Sequence, residues 1–160
     1  MFSNLGRNFP TPVEVNFQQA GLLGGEKVIK NTETILVVDD QPGVRRLICE
    51  ALLDAGHLVE QASSGMEALK RLAQKKYQLI LLDIKMPGMN GLETLNEIRK
   101  VDSGIPVVMM TAYGELDILE RISGKGVNHI SKPFDLNELR SLVDNVISRG
   151  AVAQTGTKTG

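Results

Sequence analysis

Unbroken apolar runs alternate along the chain with stretches in which apolar residues recur at helical spacing. Three such runs are unbroken, at residues 35–38, 79–82 and 107–110, and a weaker run at 58–62 and a short one at 129–130 complete a set of five. Runs of this kind are typical of strands in a parallel sheet that is covered on both faces. The pattern therefore predicts five buried strands, of which the second and the last carry the weakest signal.

Amphipathic helices are predicted between these strands. The first has apolar residues at positions i, i+3, i+4, i+7, i+8 and i+11, and it ends at Gly56. The last, over residues 136–147, is preceded by the N-terminal capping pattern of Asp135 and Glu138. A strand followed by a helix, repeated five times, predicts an α/β fold in which a doubly wound five-stranded parallel sheet carries helices on both faces.

The chain is predicted to hold a single domain over residues 33–149. Residues 1–32 contain two prolines and the pair Gly24-Gly25 without useful periodicity, so we expect an N-terminal arm that is flexible. The Gly24-Gly25-Glu26 sequence leaves a second interpretation open. The DNA that encodes these three residues would be a ribosome-binding site, and Val28 would be the true initiation codon. Residues 150–160 are poor in large apolar side chains, and we expect them to form a flexible tail.

Composition excludes several classes of protein. Apolar residues make up 42% of the chain and charged residues 23%, with a net charge of -1, which disfavours a disordered chain, a nucleic-acid clamp and a membrane-surface binder. No apolar run approaches the roughly 20 residues that a membrane-spanning helix needs. The single cysteine, Cys49, cannot form an internal disulfide. We expect a cytoplasmic protein.

Acidic residues stand at the ends of two predicted strands. Asp39 and Asp40 close the first strand, and Asp83 closes the third. Ligands bind parallel α/β sheets at the carboxyl ends of the strands, so these side chains converge if the two strands are neighbours. Like charges in one cleft retain a proton or bind a cation. Oxygen ligands of this kind suit Mg²⁺, with Mn²⁺ as a second possible ion.

A hydroxyl and an ammonium group are predicted at the same edge. Thr111 follows the fourth strand and Lys132 follows the fifth, where a cis bond to Pro133 would direct the lysine inward. A metal, a hydroxyl donor and a fixed cation around a carboxylate are the components that phosphoryl transfer requires. The nucleophile would be a carboxylate, which gives an aspartyl phosphate.

Five motifs follow one another along the chain: VVDDQPG, LLDIKMPGMNG, VVMMTAYGE, ISKPF and DLNEL. Together they resemble the receiver domain of bacterial response regulators, over residues 33–149. The resemblance implies a flavodoxin-like sheet of order 2-1-3-4-5. It also implies that Asp83 accepts the phosphoryl group and that Thr111 and Lys132 contact it. The metal ligands that it implies are Asp39, Asp40, Asp83 and the backbone carbonyl of Lys85.

Within this family the chain is similar to the single-domain phosphorelay intermediates of endospore-forming bacteria, through TAYGELD, the DDQ-G-R opening and His129. This similarity implies a phosphotransferase-like role in sporulation, with self-phosphorylation that depends on magnesium and slow autodephosphorylation. The implied partners are a sensor histidine kinase, a histidine phosphotransferase protein and an aspartyl-phosphate phosphatase, with no nucleic acid and no membrane. The alternative is a single-domain regulator whose phosphorylated face binds a target protein. We expect no output domain in the residues after Arg149.

Further residues are candidates for tuning this site. Thr111 and His129 would form a two-state switch, unless His129 is an exposed strand residue without a role. Lys85 and Tyr113 would overhang the phosphoryl group, and Lys85 would obstruct an attacking water unless it is an inert exposed lysine. The segment before Lys132 is one residue shorter than this family leads us to expect, so we expect the fourth helix to end early.

Two other enzyme classes fit poorly. A dinucleotide-binding enzyme would carry a glycine-rich G-x-G-x-x-G turn after the first strand, where this chain has DDQPGVR. A phosphatase of the haloacid-dehalogenase type would have its acceptor in a D-x-D arrangement. Here Asp39 and Asp40 are adjacent, and Asp83 is followed by Ile84 and Lys85.

Overall fold

Strands and helices alternate throughout this computed structural model, which describes residues 33–112, 114–123 and 127–155. The predicted N-terminal arm, Tyr113 and the loop glycines at 124 and 126 lie outside the described residues. The strands are β1 (Thr34–Val38), β2 (Leu58–Ala62), β3 (Leu79–Asp83), β4 (Val107–Thr111) and β5 (Asn128–Ser131). The helices are α1 (Pro42–Asp54), α2 (Gly65–Gln74), α3 (Gly91–Val101), α4 (Leu116–Ser123) and α5 (Leu136–Thr155).

The strands form one parallel sheet in the order β2-β1-β3-β4-β5. This is the fold class and the strand order that the sequence analysis predicted. β1 and β3 are neighbours, with Val38 paired to Leu82, and β3 pairs with β4 so that Asp83 lies beside Met110. The carboxyl ends of β1, β3 and β4 therefore meet at the centre of one edge of the sheet.

Two apolar clusters cover the two faces of the sheet. On one face, alternate strand residues such as Leu81 and Met110 pack with Leu52 of α1 and Val143 of α5. On the other face, the intervening strand residues pack with α2, α3 and α4, through side chains such as Ile98. The three central strands are buried on both sides, which explains why β1, β3 and β4 each contain an unbroken apolar run in the sequence.

Helix boundaries follow local signals. Gly56 adopts a φ of 92° just after α1, in the left-handed region that suits glycine at a helix end. Asn90 caps α3 in a reciprocal capping box with Glu93. The Asp135 side chain accepts a hydrogen bond of 2.7 Å from the Asn137 N–H, as a cap of α5 does.

Helix α3 begins against the backbone that follows Asp83. The Gly91 N–H donates to the Ile84 carbonyl at 2.8 Å. A side chain at Gly91 would place its Cβ 2.2 Å from the Asp83 carbonyl oxygen and 2.6 Å from the Ile84 Cα. Glycine is required here because any Cβ would overlap the main chain at the end of β3.

The last two helices differ in length. α5 continues to Thr155, so residues 150–155, which the sequence analysis assigned to a flexible tail, are helical. Alanine and glutamine in this stretch favour helix once α5 is established. The described part of α4 spans 8 residues, and residues 124–126 lie outside the described residues, so the early end of this helix stays a prediction. Among the described residues no helix has the length and apolar character needed to cross a membrane.

Candidate functional site

Three carboxylates converge at the carboxyl edge of the sheet. Asp39 directly follows β1, Asp40 is its neighbour, and Asp83 is the last residue of β3. One oxygen from each lies within 4.8 Å of the other two. The pairing of β1 with β3 produces this cluster, since it brings the ends of two acid-terminated strands side by side.

Asp39 is fixed by hydrogen bonds on both carboxylate oxygens. It is fully buried, and its Oδ1 accepts from the Gln41 N–H at 2.9 Å. Its Oδ2 accepts from Lys132 Nζ at 2.9 Å. The Asp39 carbonyl oxygen in turn accepts from the Arg45 guanidinium at 2.6 Å. Charge-assisted hydrogen bonds of this kind hold the Asp39 carboxylate in one position.

Lys132 joins two of the three acids. Its Nζ lies 2.9 Å from Asp39 Oδ2 and 3.1 Å from Asp83 Oδ1. Burial lowers the pKa of Lys132, but hydrogen bonds and charges from the two aspartates outweigh burial and raise the pKa above its ordinary value. The lysine therefore carries a positive charge at the site. The peptide bond from Lys132 to Pro133 is cis.

The carboxyl group of Asp83 has a perturbed pKa. Burial, followed by the negative charge of Asp39, raises the pKa of Asp83 to about 6, although Lys132 acts in the opposite direction. Asp83 is 6% exposed and lies at the end of β3, at the rim of the sheet. A partly desolvated carboxylate with a perturbed pKa in a cleft is typical of functional sites.

The cluster fits a divalent cation. Three carboxylates beside a single ammonium leave an excess of negative charge that an ion such as Mg²⁺ would balance. Hard carboxylate oxygens are the ligands that Mg²⁺ and Mn²⁺ prefer, and they exclude metals that need thiolate.

Thr111 lies at the same edge, at the end of β4. It is buried, and its hydroxyl donates toward the Ile130 carbonyl and Ser131 Oγ, each at 3.4 Å. The Lys132 N–H donates to the Thr111 carbonyl oxygen at 2.6 Å, which joins the ends of β4 and β5. His129 is exposed on β5 and pairs with Met109, two residues before Thr111 on β4. The described contacts include none between Thr111 and His129.

The side chain of Lys85 is turned toward another loop. Its Nζ lies 3.4 Å from Glu115 Oε1, and the lysine side chain is 73% exposed. Glu115 is buried, and its other oxygen, Oε2, accepts from the Ala112 N–H at 2.8 Å. The sequence analysis did not single out Glu115, because nothing in the motif VVMMTAYGE marks that acid as buried. It also did not anticipate the contact of Arg45 with the Asp39 carbonyl.

The predicted site residues thus fall into three groups. The structure brings Asp39, Asp40, Asp83 and Lys132 into one cluster. It places Thr111 and the exposed His129 on the strands beside that cluster. The Lys85 side chain pairs with Glu115 at the neighbouring loop.

Comparison with known families gives one assignment for the domain. The chain matches the family described as response regulator receiver domain over residues 35–144. That range includes all five strands except Thr34, together with the acidic cluster and the first half of α5 up to Asp144.

Curated relatives extend the comparison. The chain is 43% identical over 112 residues to sporulation initiation phosphotransferase F of Bacillus subtilis, and the match covers 69% of this chain and 90% of the relative. It is 37% identical over 115 residues to the DNA-binding transcriptional regulator NtrC of Escherichia coli, where the match covers 71% of this chain and 24% of the relative. The domain thus occurs both in short proteins and within much longer ones.

Solved structures show the same fold. The receiver domain of NtrX from Brucella abortus superimposes with a TM-score of 0.68 at 32% identity, covering 71% of this chain and 98% of that structure. Chemotaxis protein CheY4 from Vibrio cholerae gives a TM-score of 0.67 at 28% identity, covering 72% of this chain and 99% of that structure.

Proposed function

The chain belongs to the response regulator receiver domain family, and we propose that it accepts a phosphoryl group on Asp83 from a sensor histidine kinase and passes it to a histidine phosphotransferase protein. The observation that carries this proposal is the cluster of Asp83, Asp39 and Lys132, in which a single ammonium contacts both buried carboxylates. The similarity to sporulation initiation phosphotransferase F, over 90% of the length of that relative, favours a relay role in sporulation.

Asp83 would act as the nucleophile. One of its carboxylate oxygens attacks the phosphorus of a phosphohistidine, an O–P bond forms, and the N–P bond breaks with its electron pair returning to the imidazole nitrogen. The raised pKa of Asp83 reflects a carboxylate that is poorly solvated and therefore reactive. Transfer to the histidine phosphotransferase protein is the reverse step, with a histidine nitrogen as the attacking atom.

Lys132 and Thr111 would bind the transferred group. The Lys132 ammonium already lies 3.1 Å from Asp83 Oδ1, and on phosphorylation it would pair with a phosphoryl oxygen. The Thr111 hydroxyl makes two long contacts of 3.4 Å, so it would give up little to donate to the phosphoryl group instead. We propose that this reorientation, together with His129 on the adjacent strand, forms the switch.

A Mg²⁺ or Mn²⁺ ion would be held by four groups of the site: the side chains of Asp39, Asp40 and Asp83 and the backbone carbonyl of Lys85. When bound, the ion would neutralise charge on the phosphoryl oxygens. Around it, Asp39 would keep a fixed position because both of its oxygens already accept hydrogen bonds.

Lys85 and Tyr113 would tune the lifetime of the aspartyl phosphate. Each lies two residues beyond a central group of the site, Asp83 and Thr111 respectively. We propose that the Lys85 side chain obstructs an attacking water, and that an aspartyl-phosphate phosphatase supplies faster removal. We also propose that the protein acts in the cytoplasm together with the kinase, the phosphotransferase and the phosphatase, and we propose no nucleic-acid partner.

Phosphorylation is tested with a small phosphodonor. Incubation of the protein with acetyl phosphate and Mg²⁺ should add the mass of one phosphoryl group, measured on the intact protein. Asp83→Asn should take up none, and Asp40→Asn should lose the dependence on metal together with most of the modification. Wild-type protein that stays unmodified with every donor would refute the proposal.

The direction of transfer is tested separately. Protein labelled on Asp83 is mixed with a histidine phosphotransferase domain, and the label is followed on both proteins. Movement of the label supports the relay. Label that stays on Asp83, while the phosphorylated protein gains affinity for a target, would favour the single-domain regulator instead.

A further inference from the structure

Glu115 is a buried acid at the rim of the site, in the loop between β4 and α4. It is 6% exposed. Its Oε2 accepts the Ala112 N–H at 2.8 Å, whereas its Oε1 has no hydrogen-bond partner among the described residues. Burying a carboxylate oxygen without a partner is costly, so a nearby positive charge must compensate it. The ammonium of Lys85, 3.4 Å from Oε1, is that charge.

The Lys85–Glu115 pair connects the two loops that flank the site. β3 and β4 are adjacent, and Asp83 at the end of β3 lies beside Met110. Lys85 is two residues beyond Asp83, and Glu115 is four residues beyond Thr111. The ion pair therefore joins the loop after the phosphoacceptor to the loop after the hydroxyl.

The two partners differ sharply in burial. Glu115 is held by the Ala112 N–H and by burial. Lys85 is 73% exposed along its side chain, and a lysine on its own would lose considerable rotamer entropy by staying in one place. Glu115 is thus the fixed partner, and the position of the Lys85 ammonium depends on it.

We propose that Glu115 is a positioning residue that holds Lys85 across the opening between Asp83 and Thr111 and thereby slows hydrolysis of the aspartyl phosphate. The inference rests on the proposed phosphorylation of Asp83. In hydrolysis a water oxygen attacks the phosphorus and the bond to the Asp83 oxygen breaks. Phosphate leaves, the carboxylate is restored, and the water proton passes to the released phosphate or to solvent. A lysine held over the opening obstructs the approach of that water.

The test measures loss of phosphate from purified, acetyl-phosphate-labelled full-length protein. Glu115→Gln keeps the size of the side chain and an oxygen to accept the Ala112 N–H, but removes the charge that holds Lys85. It should lose phosphate about twofold to fivefold faster than wild type, the range expected for a largely exposed ion pair. Lys85→Ala should be at least as fast, and Lys85→Arg should stay close to wild type because arginine can still pair with Glu115.

The double variant decides whether Glu115 acts through Lys85. Glu115→Gln combined with Lys85→Ala should decay at the rate of Lys85→Ala alone, because the glutamate then has no lysine to hold. Glu97→Gln, which breaks an exposed ion pair with Lys100 on α3, is the matched control and should not change the rate. Far-UV circular dichroism confirms that each variant is folded.

The outcomes separate this inference from the proposed function. The positioning role is overturned if the rate increases of the two single variants multiply in the double variant, or if folded Glu115→Gln loses phosphate at the wild-type rate. Neither result would contradict phosphorylation of Asp83. Wild-type protein that takes up no phosphoryl group would overturn both. Faster loss in Glu115→Gln that disappears in the Lys85→Ala background supports the inference.

Discussion

Replacing Asp83 by asparagine should stabilise the fold in metal-free buffer near neutral pH. Burial and the charge of Asp39 raise the pKa of Asp83 from its ordinary value of 3.8 to about 6. A carboxyl group whose pKa is raised by folding opposes the folded state wherever it is ionised. Asparagine has nearly the same shape, and its oxygen can still accept a hydrogen bond from Lys132.

The size of the effect follows from the two pKa values. Their difference corresponds to about 3 kcal/mol of destabilisation at about pH 8, which is an upper limit because the site can relax. Destabilisation is complete above the folded pKa of about 6 and is lost as pH falls toward the unfolded value of 3.8. At about pH 5 roughly half of it should remain.

Urea unfolding followed by circular dichroism measures this difference. Asp83→Asn should be more stable than wild type by up to about 3 kcal/mol at about pH 8, equivalent to a rise of roughly 10 °C in Tm. Asp40→Asn is the matched control and should gain less, because the charge of Asp40 is the smallest of the named influences on the pKa of Asp83. The reasoning is refuted if Asp83→Asn is no more stable than wild type at about pH 8, or if its advantage does not shrink at about pH 5.

Three further changes should have measurable effects. Lys132→Ala should destabilise the metal-free protein by about 3 kcal/mol in urea unfolding, since it leaves two buried carboxylates without their ammonium; equal stability would contradict this. Gly91→Ala should cost about 1–3 kcal/mol in the same assay, because its Cβ would lie 2.2 Å from a backbone oxygen, and a neutral effect would show that α3 can shift. Mg²⁺ at about 100 times its Kd should stabilise wild type by about 2.7 kcal/mol. Asp40→Ala should remove most of that gain, and a full gain in this variant would exclude Asp40 as a ligand.

The fold was predictable because its strongest signals are local. The three central strands each contain an unbroken apolar run, and Gly56 and Asp135 mark helix ends through their own backbone geometry or side chain. The acidic cluster was also predictable, because parallel strands end at one edge of the sheet and Asp39 and Asp83 terminate adjacent strands.

Contacts between distant segments could not be predicted in the same way. His57 follows the glycine that ends α1, and by that position alone it would be an exposed turn residue. Instead it is buried, and its Nε2 lies 3.0 Å from Asp144 Oδ1 on α5. Glu115 is a similar case, because its burial depends on how the loop after β4 packs rather than on any periodicity. The end of α5 was misplaced because small residues carry little apolar signal.

The close contact at Gly91 gives α3 a mechanical role. The first residue of the helix touches the main chain just after Asp83 with no room for a side chain. If a reaction at Asp83 displaces that peptide, the start of α3 should move with it, because the Gly91 N–H donates to the Ile84 carbonyl and no side chain lies between the two backbones. The far surface of α3 would then report the state of a site that it does not line.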